Sequence, residues 1–267
     1  MHGIRLVSVD VDGTLMTSRG VLAPRGVERL RCISEQGVHV VLNTARNVHA
    51  TRQYCQEIGL HEPMICTNGA QIWAAPEGPA WMEHTIPREV GMSIARLADE
   101  HDWELNITVG ETVYWRQRPG QVLGSFPPNR MIVRTNAEAI TGEPVRILAF
   151  QPEVIEYLSD LCLARYSQEC NAEIYYNPDE SLHSLGIFPR EGDKGTALRL
   201  VLEKLGIRPG EVMAVGDNMS DLAMFAVARI SVAMGNAPAR VKERATAVAP
   251  SNDDEGVAWA IEKYLLS

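Results

Sequence analysis

The chain has 267 residues, 45% of them hydrophobic and 22% charged, an ordinary balance for a globular protein with a real core. Its net charge of −9 argues against nucleic acid or an anionic membrane surface as the main partner, since both demand clustered Lys and Arg. The five cysteines (Cys32, Cys55, Cys66, Cys162 and Cys170) are odd in number and include no Cys-x-x-Cys pair, which predicts buried thiols in a reducing compartment.

No basic-then-apolar leader opens the chain, and no apolar run approaches the roughly 20 residues of a membrane helix. The expectation is a cytoplasmic protein, a monomer or small homo-oligomer, with no membrane partner. In chain order, Ile4 to Val9 is the first predicted strand, and it runs straight into Asp10-Val11-Asp12-Gly13-Thr14. Asp10 then projects beyond the strand end, with Asp12 two residues on near the same side. Two carboxylates so close repel unless a cation or a proton lies between them. Hard oxygen ligands at a sheet edge suit Mg²⁺. Once neutralised, one carboxylate can attack phosphorus, and the other can move a proton to the leaving oxygen.

Pro24 to Gln36 carries Val27, Leu30 and Ile33 at helical spacing, with Gly37 at its end. Val38 to Leu42 is the second strand, and it ends in Asn43-Thr44-Ala45-Arg46. A Thr hydroxyl and free N–H groups at a helix start suit a phosphate, and Thr44 equally suits plain N-capping. A helix over Val48 to Ile58, stopped by Gly59, leads to a third strand, Met64 to Cys66, and the turn Thr67-Asn68-Gly69. Continuous β-branched runs of this kind read as strands of a parallel sheet covered on both faces.

Between about Glu83 and Phe188 the alternation breaks. The pattern there predicts a helix (Arg88 to His101), strands (Trp103 to Val109, Thr112 to Gln117) and a Pro- and Gly-containing segment through Asn129. A strand (Val145 to Phe150), a helix (Pro152 to Ala164) and strands (Ala172 to Tyr176, Ser181 to Phe188) follow. Strands joined by turns such as Val109-Gly110-Glu111 describe a second, inserted α+β domain. Arg46, Trp115, Arg116, Arg118, Tyr175, Tyr176 and His183 are residue types that can meet a sugar or a second anion. Aromatics on strands are usually core and arginines usually solvated, so only Arg46, beside Thr44, is retained.

The alternation resumes with Gly192-Asp193-Lys194-Gly195 ahead of a helix to Leu205, where a fixed Lys at a crevice can neutralise phosphate and nucleophile together. Val212 to Val215 then runs into Gly216-Asp217-Asn218-Met219-Ser220-Asp221, with Asp217 and Asp221 one helical turn apart. The same cluster also suits a helix start that favours acids through its dipole. Ile230 to Ala233 leads into Met234-Gly235-Asn236. Strand–helix alternation gives an open α/β sheet, whose ligands bind beyond the carboxyl ends of the strands.

Acids, hydroxyl, lysine and acids in that order resemble the haloacid dehalogenase-like superfamily, specifically its Cof-type phosphatases with a large inserted cap. The turns Thr67-Asn68-Gly69-Ala70 and Gly235-Asn236-Ala237 fit the same subfamily. The resemblance implies a doubly wound, mostly parallel, Rossmann-like α/β core over residues 1–83 and 188–267. It implies an α+β cap over 84–187 that sets specificity. It makes Asp10 the nucleophile and Asp12 the general acid/base, with Thr44 and Lys194 as further catalytic residues. Asp10, Asp12, Asp217 and Asp221 become the Mg²⁺ site. Val11, Gly13, Thr44, Ala45, Arg46, Lys194, Asn218 and Ser220 line the phosphate or substrate. The implied reaction is hydrolysis of a small phosphorylated metabolite, with sugar phosphates as the leading class, through an aspartyl-phosphate. A phosphomutase on the same scaffold and a non-catalytic phospho-metabolite binder are the alternatives. Two departures from the usual motifs stand out: Ala45 replaces Gly, and Ser220 replaces Asn.

Overall fold

The computed structural model describes residues 3–117, 128–176 and 181–266; Arg118 lies outside them. In chain order the first elements are β1 (Leu6–Val9), α1 (Pro24–Glu35), β2 (His39–Leu42), α2 (Val48–Ile58), β3 (Met64–Cys66), β4 (Gln71–Trp73) and β5 (Ala80–Glu83). Next come α3 (Arg88–Glu100), β6 (Asn106–Val109), β7 (Thr112–Arg116), β8 (Arg130–Val133), β9 (Arg146–Ala149), α4 (Pro152–Arg165), β10 (Cys170–Tyr176) and β11 (Leu182–Pro189). The chain closes with α5 (Lys194–Leu205), β12 (Val212–Gly216), α6 (Asp221–Phe225), β13 (Ile230–Ala233), α7 (Ala239–Lys242), β14 (Ala247–Val248) and α8 (Gly256–Tyr264).

These elements form two compact units, Met1–Met82 with Gly192–Ser267, and Glu83–Glu191. The first holds a five-stranded sheet in the order β14-β13-β12-β1-β2, parallel throughout. Alternating side chains feed two separate cores, as a period of two requires. Val7, Val9, Val40, Leu42 and Val215 pack with α1, α2 and α8 on one face. Leu6, Val41, Val212 and Ala214 pack with α5, α6 and α7 on the other. That is the doubly wound α/β arrangement. Helix ends follow local chemistry. Asn47 caps α2, and Asp193 caps α5 by accepting from the Gly195 and Thr196 N–H groups.

One expectation is corrected here. Met64 to Cys66 is not a full member of the parallel sheet. It pairs antiparallel with β4 in a separate three-stranded sheet. It meets β2's extension only at the isolated bridge Asn43–Ile65. The three-residue strand is too short to sustain a ladder on both edges, and the tight turn after it brings β4 alongside.

In the second unit a six-stranded sheet runs β10-β11-β9-β6-β7-β8, antiparallel except for β7 with β8. Helices α3 and α4 cover one face through Ile94, Ala98, Ile155, Leu158, Ile107 and Ile187. The strand predicted from Trp103 starts only at Asn106. The N–H groups of Trp103, Glu104 and Leu105 donate to the Ala98 carbonyl and to the side chains of Gln151 and Asn136, which takes these residues out of strand pairing. The strand β8 had no counterpart in the sequence reading. Among the described residues no helix is long and apolar enough to cross a membrane. None of the five cysteines is in a disulfide, and four are buried.

Candidate active site

The carboxyl ends of β1 and β12 and the start of α5 place three acids and a lysine together. Asp10 lies one residue past β1, tied there by its N–H donating to the Val215 carbonyl at 3.0 Å. Lys194 opens α5, and its Nζ donates to Asp10 Oδ1 and to Asp221 Oδ1, each at 2.6 Å. All three are buried: Asp10 is 5% exposed, Lys194 2% and Asp221 0%. The other oxygen of Asp221 accepts the N–H groups of Asp217 and Asn218, both at 2.8 Å. Asp221 therefore spends its carboxylate on the lysine and on the loop after β12.

Asp217 Oδ1 accepts from the Thr14 hydroxyl at 2.8 Å. Gly13 makes this approach feasible. It sits at φ +73°, and a Cβ there would collide with the Asp217 carboxylate. Gly216 has the same relation to Asp221: a Cβ on it would enter that carboxylate.

Asp12 turns elsewhere. Both of its oxygens are held by Arg46, with Nε donating to Oδ2 at 2.8 Å and Nη2 to Oδ1 at 2.6 Å. Thr44 is buried, and its hydroxyl oxygen accepts the Arg46 N–H at 3.1 Å. Val11 is buried and Ala45 half-buried. Ser220 precedes α6 with no side-chain cap bond. Asn218 accepts the Met219 N–H through Oδ1 at 2.6 Å. Tyr175 and His183 find partners inside the second unit, in Glu173 and Ser184.

Three contributors escaped the sequence reading. Thr14 belongs to the opening motif and had been given no task. Asn43, fully buried, donates from Nδ2 to the Lys194 carbonyl at 3.1 Å and to Ser8 Oγ at 3.3 Å. Its signal was a polar amide set directly at the end of the apolar run Val38 to Leu42. Asn236 donates to the Gly13 carbonyl at 2.8 Å and so holds the opening loop.

Charge and burial compete across this cluster. Burial pushes the Asp10 carboxyl well above the ordinary range. Lys194 pulls it back, and Asp221, Asp217 and Asp12 push it up again. Asp217 is raised to about 7 by burial first and by Asp221 second, against the Thr14 hydrogen bond and Lys194. Burial would lower Lys194, but Asp10 and Asp221 outweigh it and hold the ammonium above its ordinary value. Four carboxylates thus face two cations. Asp217 is the acid that neither cation touches directly.

That imbalance is the test of whether a metal fits. Asp10, Asp217 and Asp221 offer oxygens that all lie within 4.8 Å of one another. An all-oxygen, acid-rich set suits a hard divalent ion. The raised carboxyls of Asp10 and Asp217 are what such a set displays while uncompensated, so the residues fit.

The sequence model of the haloacid dehalogenase-like hydrolase family matches residues 7–261. The chain belongs to that family. It is similar to a 5-amino-6-(5-phospho-D-ribitylamino)uracil phosphatase of Bacillus subtilis, 29% identical over 98% of this chain and 96% of the relative. It is also similar to a pyridoxal phosphate phosphatase of Escherichia coli, 25% identical over 98% and 99%. Among solved structures, a haloacid dehalogenase-like hydrolase from Bacteroides thetaiotaomicron superposes with a TM-score of 0.84 at 25% identity, covering 97% of this chain and 99% of that one. For a haloacid dehalogenase-like hydrolase, the buried Asp10–Lys194–Asp221 group stands at the strand ends where ligands of open α/β sheets bind.

Proposed function

We propose that this hydrolase is a Mg²⁺-dependent phosphatase that removes phosphate from a small phosphorylated metabolite by way of an aspartyl-phosphate on Asp10. The observation that carries the reading is a buried carboxylate, Asp10, paired with a buried lysine beside two further acids. The phosphatase names of the two relatives support it.

Asp10 and Asp217 are the residues to hold the ion, joined by the main chain of Asp12 and braced by Asp221. When bound, the ion supplies positive charge that offsets the carboxylates and the phosphate oxygens. Lys194 holds Asp10 in place and adds a second positive charge against the transferring group. The Thr44 hydroxyl and the N–H groups of the opening loop are the donors for the phosphate oxygens. An oxygen of Asp10 attacks phosphorus, and the bond from phosphorus to the substrate oxygen breaks. Asp12 gives its proton to that leaving oxygen. Asp12 then takes a proton from water as the water oxygen bonds to phosphorus. The phosphorus–Asp10 bond breaks, and phosphate leaves with the carboxylate restored.

Sugar phosphates are the leading substrate class, and the inserted unit, Glu83–Glu191, is the part assigned to choosing among leaving groups. The test is inorganic phosphate release from a panel of phosphorylated metabolites in Mg²⁺, with Asp10→Asn alongside. We expect the variant to fold and to lose more than about 10⁴-fold in turnover. Near wild-type release by Asp10→Asn would remove the nucleophile from the scheme.

A further inference from the structure

Arg46 makes a two-point contact with Asp12. Its guanidinium is already committed, with two parallel N–H donors on the two oxygens of one carboxylate, at 2.8 and 2.6 Å. This fork geometry fixes the plane of the carboxylate as well as its position. Arg46 is itself held at several points. Its N–H donates to the Thr44 hydroxyl, and its carbonyl accepts the Thr67 N–H at 2.8 Å. Its guanidinium carbon lies 5.9 Å from the centre of the Tyr54 ring, and Nη2 lies 3.9 Å from Met16 Sδ. Asp12, by contrast, sits in the loop after β1 with its side chain 49% exposed. Asp10 and Asp217 are its acidic neighbours, and both repel its charge.

We infer that Arg46 is a positioning residue for Asp12, holding its carboxylate at the site against the repulsion of Asp10 and Asp217. The inference rests on the reading of Asp12 as the proton carrier given above. With both oxygens of Asp12 taken by Arg46, one bond of the fork opens when Asp12 carries its proton, and the other keeps the carboxylate in place. The half-exposed setting makes that opening inexpensive, since water can take over the bond that the proton breaks.

The role predicts a dependence on leaving group that a merely structural arginine would not produce. A leaving group that departs as a stable anion needs no proton from Asp12, whereas an alkoxide does. The experiment measures kcat/KM in Mg²⁺ for 4-nitrophenyl phosphate, phenyl phosphate and benzyl phosphate. Arg46→Met is expected to lose at least about tenfold on benzyl phosphate and less than about threefold on 4-nitrophenyl phosphate. Arg46→Lys, which keeps the charge without the fork, is expected to stay below wild type on benzyl phosphate. In an Asp12→Asn background, adding Arg46→Met is expected to leave the benzyl-to-4-nitrophenyl ratio where Asp12→Asn had already put it. Equal losses across the three esters, full recovery by Arg46→Lys, or a further drop of the ratio in the double variant would each overturn the assignment. Those outcomes leave the phosphatase reading standing. A wild type that releases phosphate from none of the three esters and from no member of the metabolite panel would overturn that reading and this inference with it.

Discussion

The two ion-pair groups of this site are built from the same chemistry and sit in different media. Lys194 with Asp10 and Asp221 is sealed, its three side chains 0–7% exposed. Arg46 with Asp12 lies half in water at 41% and 49%. Burial strengthens an interaction and also makes its loss costly, because the partner left behind cannot be resolvated. Exposure lets a pair open and close at little cost. The sealed group therefore suits a nucleophile that must stay fixed and reactive. The open pair suits a carboxylate that must pick up and release a proton. The difference between them can be attacked from either side.

The largest effect is expected from Lys194→Met. It strands Asp10 and Asp221 without a cation in the interior, a loss of about 3–5 kcal/mol for a broken buried pair. For a chain of this size that is a fall in Tm of about 5–15 °C. The deficit should be greater at pH 8 than at pH 5.5, because protonation relieves the stranded carboxylates at the lower pH. A Tm within about 2 °C of wild type at pH 8 would mean that the sealed group is no more costly to break than the open pair.

A smaller effect, on the same side of the comparison, concerns Asp217. Its folded value of about 7 lies above the ordinary 3.8. Between those values the folded protein keeps a proton that the unfolded chain has lost. Without metal, stability from this group is therefore highest below about pH 4, falls as pH rises towards 7, and levels off beyond. A divalent ion binds the deprotonated form. Thermal denaturation with Mg²⁺ and with chelator, at pH 5.5 and pH 8, checks this. The rise in Tm given by Mg²⁺ should be larger at pH 8. A gain that is equal at the two pH values would remove Asp217 from the metal site.

The sealed group was the more legible of the two in the sequence. Asp10, Lys194, Asp217 and Asp221 each follow a strand of continuous apolar residues or open a helix. Backbone direction alone brings such positions to one sheet edge. The pair of Asp12 with Arg46 was not readable, although both residues had been singled out. It depends on which way two flexible side chains turn, across 34 positions of sequence, and no periodicity encodes that. Asn43 and Thr14 were missed for a related reason: an amide or hydroxyl looks alike in sequence whether it caps a helix or holds a catalytic loop. In the fold, β12 announced itself by the continuous apolar run Val212 to Val215, and the structure extends it to Gly216. β4 and β14, with three residues and two, are too short to display any period.

The smallest effect is the one that separates the two groups most cleanly. Asp12→Asn removes one charge from an exposed pair and leaves Arg46 with solvent as its alternative partner. Stability should therefore change by no more than about 1 kcal/mol, a shift of about 4 °C or less. The loss of Asp12's charge also relieves its repulsion of Asp10 and Asp217, which works against any destabilisation. Turnover of an alkyl phosphate should nonetheless fall by about 10²–10⁴-fold, the usual worth of a positioned proton carrier. A variant that unfolds as readily as Lys194→Met would place Asp12 with the sealed group. One that keeps full turnover would take the proton away from Asp12, and leave Arg46 holding a carboxylate with no part in the reaction.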